Sequence, residues 1–132
     1  MKKTENPEPS QTILVIEDEP SYRKLLKDQL IQYGYNVIEA QEGKKGLDIA
    51  EVEHPDLILL DIKMPVMDGI AMLDLLRKNS YGKTAKVIFL TNIEPDDKII
   101  QKVLEDQPTY YLIKSDIKLV ELIEKIKDVL AE

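Results

Sequence analysis

Four short runs hold most of the residues in this sequence that could do chemistry. Glu17-Asp18-Glu19 follow one apolar run, Asp61 follows a second, Thr91-Asn92 a third and Lys114-Ser115 a fourth. Taken singly, each is weak. An aspartate behind an apolar run can be a turn former, a metal ligand or a nucleophile. Brought together, they constrain one another. At an effective dielectric near 20, two unit charges ~4 Å apart repel by about 4 kcal/mol. Three acids placed as Glu17, Asp18 and Asp61 would be must therefore take up a proton or hold a cation. A hard, oxygen-lined site with few protein ligands suits Mg²⁺, which keeps several of its waters; Mn²⁺ is the alternative ion. Lys114 cannot neutralise three acids alone, but it can pair with one and hold a phosphoryl oxygen. The Thr91 hydroxyl can donate to another such oxygen. That assembly fits phosphoryl transfer to a carboxylate, with a metal and a lysine spreading the developing charge.

Such a site requires elements that bring the four runs to one rim. Ile13–Ile16, Leu57–Leu60 and Val87–Leu90 are short, wholly apolar runs, the pattern of strands buried on both faces. Val37–Ala40 is half polar, and Tyr110–Ile113 makes a fifth strand. Between them the apolar residues recur at helical spacing. Pro20 opens a helix that Gly34 stops, and a second helix over 43–53 ends near His54-Pro55. Asp68 caps a third, with Asp68-Gly69 read as helix start and Met64 to Met67 as the loop before it. Pro95 is expected to start a fourth, carrying Ile99, Ile100, Val103 and Leu104 on one face. Ser115 or Asp116 is expected to cap the last, whose inner face is read as Leu119, Val120, Ile123, Ile126 and Leu130. The order βαβαβαβαβα predicts an α/β fold, a single doubly wound domain of the flavodoxin-like type with a five-stranded parallel sheet flanked by five helices. A 2-1-3-4-5 strand order places the polar second strand at an edge. It also puts the functional cleft at the carboxyl ends of the first and third strands, where the order reverses.

Size and composition agree with one soluble domain. The chain has 132 residues, 43% of them hydrophobic and 33% charged, with no cysteine and hence no disulfide or thiolate chemistry. Its net charge of −7 opposes direct binding to nucleic acid or to an anionic membrane surface. No apolar run approaches the ~20 residues of a membrane span. The polar start, MKKTENPEPSQ, is no signal peptide, and residues 1–11 are expected to form a disordered tail before a domain over 12–132. The expected location is the cytoplasm.

The segments ILVIEDE, LILLDIKMPVMDG, VIFLT and YYLIK resemble, in order and spacing, the receiver domain of two-component response regulators, the CheY-like superfamily. The resemblance covers about residues 12–131. It implies that Asp61 is the phosphoaccepting aspartate, that Glu17 and Asp18 hold Mg²⁺ together with Asp61, and that Lys63 adds its backbone carbonyl. It implies too that Thr91 and Lys114 contact the phosphoryl group and that Tyr111 is an aromatic switch residue moving with Thr91. The implied donor is a histidine kinase, a phosphotransfer protein or acetyl phosphate, and the receiver signals to an output protein through a changed binding face. It catalyses only its own phosphorylation and dephosphorylation.

Two departures from the family pattern carry expectations. Receivers usually have a cis Lys-Pro bond where this chain has Lys114-Ser115. A cis bond before a non-proline residue costs ~2.5–4 kcal/mol, so a trans bond and an altered loop are expected. LEDQPTYY replaces the family's usual entry to the fifth strand, which predicts a remodelled connection after the fourth helix. Other arrangements stay open: a degenerate receiver working as a phosphorylation-independent interaction module, or the N-terminal domain of a longer regulator. A phosphohydrolase with an aspartyl nucleophile is disfavoured, because Lys63 stands where its general acid would be.

Overall fold

The computed structural model describes residues 10–132. The strands are β1 (Thr12–Ile16), β2 (Asn36–Ala40), β3 (Leu57–Leu60), β4 (Val87–Thr91) and β5 (Tyr110–Ile113). The helices are α1 (Pro20–Gln32), α2 (Gly43–Glu53), α3 (Gly69–Leu76), α4 (Asp97–Asp106) and α5 (Leu119–Leu130). All five strands run parallel in the order β2-β1-β3-β4-β5, as expected. Of the expected tail over residues 1–11, residues 1–9 lie outside the described residues. The Ser10 and Gln11 carbonyls accept from Asn36.

The strand sequences follow from their positions. β1, β3 and β4 are central and buried on both faces, so they are apolar apart from Thr12 at the start of β1 and Thr91 at the end of β4. Side chains alternate between the two faces. Leu14, Ile16, Ile58, Leu60, Val87 and Phe89 pack beneath α2 and α3. Ile13, Val15, Leu57, Leu59, Ile88 and Leu90 pack beneath α1 and α5. β2 and β5 are edges and only partly buried.

Helix ends show where local chemistry acts. Gly34, at φ 93, closes α1 with its N–H on the Ile31 carbonyl at 2.9 Å, while the Tyr35 N–H reaches the Leu30 carbonyl at 3.1 Å. This pair of hydrogen bonds closing the last turn needs a left-handed residue, which glycine supplies without strain. Asp68 caps α3 as expected, accepting from the Ala71 N–H at 2.8 Å.

Two expected starts are corrected. α4 begins at Asp97 rather than at Pro95, because the Asp96 carboxylate accepts from the Ile99 N–H at 2.9 Å and proline has no acceptor side chain to do so. Ser115 and Asp116 do not cap α5: they lie in a 3₁₀ turn over Lys114–Asp116, with the Ser115 N–H held by Asn92 Oδ1 at 3.0 Å. α5 starts later, where Glu121 accepts from the Lys118 N–H at 2.8 Å. Two expected inner faces also shift. Ile99 and Val103 pack on the core, whereas Ile100 and Leu104 are 44% and 71% exposed. On α5, Val120 is exposed and Leu122 and Val129 are buried in its place. The Lys114–Ser115 bond is trans, as expected, since the described chain contains no cis peptide.

Candidate functional site

The sheet register assembles the site. Ile16 pairs with Leu60 and Ala40, and the ladder runs one residue further. The Asp61 N–H donates to the Ile16 carbonyl at 3.1 Å and the Glu17 N–H to the Ala40 carbonyl at 3.0 Å. Glu17 and Asp61 thus leave neighbouring strands side by side. Their carboxylates and that of Asp18 offer oxygens all within 4.8 Å of one another. Glu17 and Asp61 are buried; Asp18 is exposed and forms no ion pair among the described residues. Lys114, arriving from the end of β5, bridges the buried two: its Nζ lies 2.6 Å from Glu17 Oε1 and 3.0 Å from Asp61 Oδ2.

The second oxygen of each buried acid is also held. Asp61 Oδ1 accepts from the Ile62 N–H at 2.7 Å, and Glu17 Oε2 from the Glu19 N–H at 3.0 Å. The Asp61 carbonyl passes so close to Gly69 that a Cβ there would lie 2.1 Å from it. Gly69 is therefore needed for close approach as well as for starting α3.

Burial pushes the Glu17 carboxyl above its ordinary pKa, against the opposing pull of the Lys114 and Glu19 hydrogen bonds. Burial works against the Lys114 charge too, but the bonds to Glu17 and Asp61 outweigh it and its pKa is raised. One secure ammonium faces three carboxylates. A small divalent cation fits this set: the donors are hard oxygens, and the exposed Asp18 keeps a solvent side open for the ion's waters.

An open cleft of about 360 Å³ surrounds these groups. It brings together six of the seven residues singled out above: Glu17, Asp18, Asp61, Lys63, Thr91 and Lys114 all line it. Thr91 is buried, and its Oγ1 accepts from the Ile93 N–H at 3.3 Å. Tyr111 lies outside the cleft but is tied to it through one residue. Its hydroxyl donates to the Ile93 carbonyl at 2.7 Å, and its ring leans on Phe89 with centroids 5.8 Å apart.

Sequence reasoning missed two contributors, both on the first turns of α1. Arg23 Nη1 donates to the Glu17 carbonyl at 2.7 Å, pinning the acidic loop. The Tyr22 ring lies under the Lys114 ammonium, 4.6 Å from Nζ to centroid. Position just after the acidic run was the available signal, but nothing in a single sequence separates such residues from ordinary helix surface.

A family model described as the response regulator receiver domain matches residues 13–127. Among curated proteins, the nitrate/nitrite response regulator protein NarL of Escherichia coli (strain K12) is 43% identical over 94 residues, covering 69% of this chain and 43% of that protein. The alkaline phosphatase synthesis transcriptional regulatory protein PhoP of Bacillus subtilis (strain 168) is 47% identical over 66 residues, 50% of this chain and 28% of that one. The chain spans less than half the length of these relatives. Among solved structures, a CheY-like receiver domain protein from Methanospirillum hungatei JF-1 superposes with TM-score 0.85 at 28% identity, over 93% of this chain and 95% of that one. The receiver domain of a sensor histidine kinase from Pseudomonas aeruginosa PAO1 does so with TM-score 0.83 at 27% identity, over 94% and 100%; that structure has a magnesium ion coordinated in its active-site cleft.

Proposed function

We propose a function for this chain from one premise: it belongs to the response regulator receiver domain family, a family of signalling domains. Asp61 is the phosphoacceptor of a two-component relay. The observation that carries this reading is the Asp61 carboxylate, held 3.0 Å from Lys114 Nζ, with Glu17 and Asp18 oxygens within 4.8 Å. An Asp61 oxygen forms a bond to phosphorus as the donor's P–N or P–O bond breaks, and the electron pair leaves with the imidazole or acetate. Lys114, already charged, takes one phosphoryl oxygen, and the Thr91 hydroxyl donates to another. The transferred group is later lost to water on the same site. Glu17, Asp18 and Asp61, with the Lys63 carbonyl, would hold Mg²⁺, or Mn²⁺ in its place. When bound, the ion neutralises the acids and the charge developing on the phosphoryl oxygens.

Thr91 donates to the phosphoryl group by moving toward it, and that movement stretches the bond its Oγ1 accepts from the Ile93 N–H. The Ile93 carbonyl is the acceptor of Tyr111, so the change passes to the face formed by α4 and β5. Receivers of response regulators interact with histidine kinases and output domains. For this chain we take the donor to be a histidine kinase or phosphotransfer protein and the output partner to be a protein. Residues 12–132 are taken as the functional unit.

Incubation with Mg²⁺ and acetyl phosphate, read by intact mass, tests the reading. One added phosphoryl group is expected, absent in Asp61→Ala and with EDTA. Labelling that ignores both changes would show the mechanism to be wrong, and no labelling by any phosphodonor would favour the phosphorylation-independent interaction module.

A further inference from the structure

The Lys114 ammonium has three walls, and only two are carboxylates. Glu17 and Asp61 stand at 2.6 and 3.0 Å; the third wall is the Tyr22 ring at 4.6 Å. Tyr22 is the third residue of α1, and its N–H is fixed by the Glu19 carboxylate at 2.7 Å. The ring is half-buried, packed on the core between α1, α5 and the sheet. It cannot swing away without unpacking.

The two carboxylates have other work in the proposed reaction. Asp61 attacks phosphorus, and both acids are cation donors. Each of these interactions weakens their hold on Lys114. A lysine stem is long and flexible, so an ammonium losing its carboxylates is free to leave for solvent. The face of an aromatic ring attracts an ammonium and competes for neither the cation nor the phosphoryl group.

We propose that Tyr22 is a positioning residue for phosphoryl transfer: its ring face keeps the Lys114 ammonium in the cleft while Glu17 and Asp61 change partners. The inference rests on the reading of Asp61 as phosphoacceptor. It requires the ring and not the hydroxyl, so phenylalanine should serve and an aliphatic residue should not.

The test has two independent readouts on the full chain. The first uses metal-free protein with no donor. A proton over a ring face is shifted upfield, so the Lys114 ε-methylene signal, assigned by its loss in Lys114→Met, should lie upfield in the unaltered protein and in Tyr22→Phe. It should return to the ordinary lysine position in Tyr22→Leu and Tyr22→Met, two ring-free variants run in parallel in case one fails to fold. The second readout is the rate of Asp61 labelling with Mg²⁺ and saturating acetyl phosphate. Tyr22→Phe should retain the rate, and the ring-free variants should lose roughly three- to thirty-fold, the range of one cation–π contact. In a Lys114→Met background the same substitutions should cause no further loss.

An unshifted Lys114 signal in the unaltered protein, or an equal further loss without Lys114, overturns the positioning role. Absence of Asp61-dependent labelling in the unaltered protein overturns the functional reading instead, and leaves the spectroscopic result to stand or fall by itself.

Discussion

At the scale of single residues, the site is organised by a mismatch of charge. One ammonium answers three carboxylates, two of them buried. Replacing Lys114 by methionine leaves Glu17 and Asp61 facing each other without the ammonium they share, each keeping only its backbone N–H donor. In EDTA at neutral pH it should lower unfolding stability by about 2 kcal/mol, the scale of a lost charge-assisted hydrogen bond; an unchanged denaturation midpoint would speak against the bridge. Asp18 is the contrasting case, exposed and outside any ion pair among the described residues. Asp18→Asn should not lower stability in EDTA, because it removes one of three mutually repelling carboxylates. It should nevertheless remove most of the stabilisation that added Mg²⁺ gives by binding the folded state. A Mg²⁺ response as large as that of the unaltered protein would contradict the assignment of Asp18 as a metal ligand. The ionic members of this set were legible because their types are unusual at the ends of apolar runs. Tyr22 and Arg23 were not, since a tyrosine and an arginine on an amphipathic helix have ordinary roles far more often.

Among the elements, the central strands and their order were readable because burial on both faces forces an unbroken apolar run. The region from β4 to α5 was read least well. Pro95 and Ser115 resemble helix starts, but the acceptors that close those turns come from Asp96 and Glu121, and Ser115 is committed to Asn92. The α4 face was misread because its four apolar residues suggest a fully covered helix, while only Ile99 and Val103 meet the core. At the end of α4, Asp106 is buried with Oδ2 lacking any hydrogen-bond partner among the described residues. Beside it Arg77 donates to the backbone carbonyls of Asp106 and Gln107 at 2.7 and 3.0 Å and to those of Gly82 and Ala85. Burial, then the nearby Asp74, raises the Asp106 pKa above its ordinary 3.8. The folded state therefore binds this proton more tightly than the unfolded state. Its contribution to stability is complete below 3.8 and is lost as pH rises through the folded-state value. Asp106→Asn lacks that loss. Its stability relative to the unaltered protein should improve by about 1 kcal/mol between acid and neutral pH, the order of one poorly satisfied buried polar group. Denaturant midpoints across that range that keep a constant difference would refute the assignment.

For the whole molecule, the same asymmetry sets where the fold is firm. β1, β3 and β4 lie at the centre of two apolar layers, while α4 buries no apolar side chain fully. Amide exchange should follow: α4 amides exchange first among the helices and β3 amides last, because local opening costs least where few apolar contacts are lost. Protection in α4 equal to that of β3 would contradict this. The molecule thus sets a rigid acidic cleft beside a lightly held helix, joined by the path Thr91, Ile93 and Tyr111. Fold class and cleft were legible because parallel-sheet topology fixes where strand ends converge; the coupling of Thr91 to Tyr111 was expected only from the family resemblance, and Ile93 as its intermediary was not legible, because it acts through backbone groups that any residue carries. Every other role proposed for the cleft depends on Asp61 accepting the phosphoryl group. Its most direct test is to label the protein with acetyl phosphate and Mg²⁺, reduce the acyl phosphate with borohydride, and map the product by peptide mass. Conversion of Asp61 to homoserine, dependent on both donor and Mg²⁺, is the predicted result; a phosphoryl group mapped to any other residue, with Asp61 intact, would contradict the account.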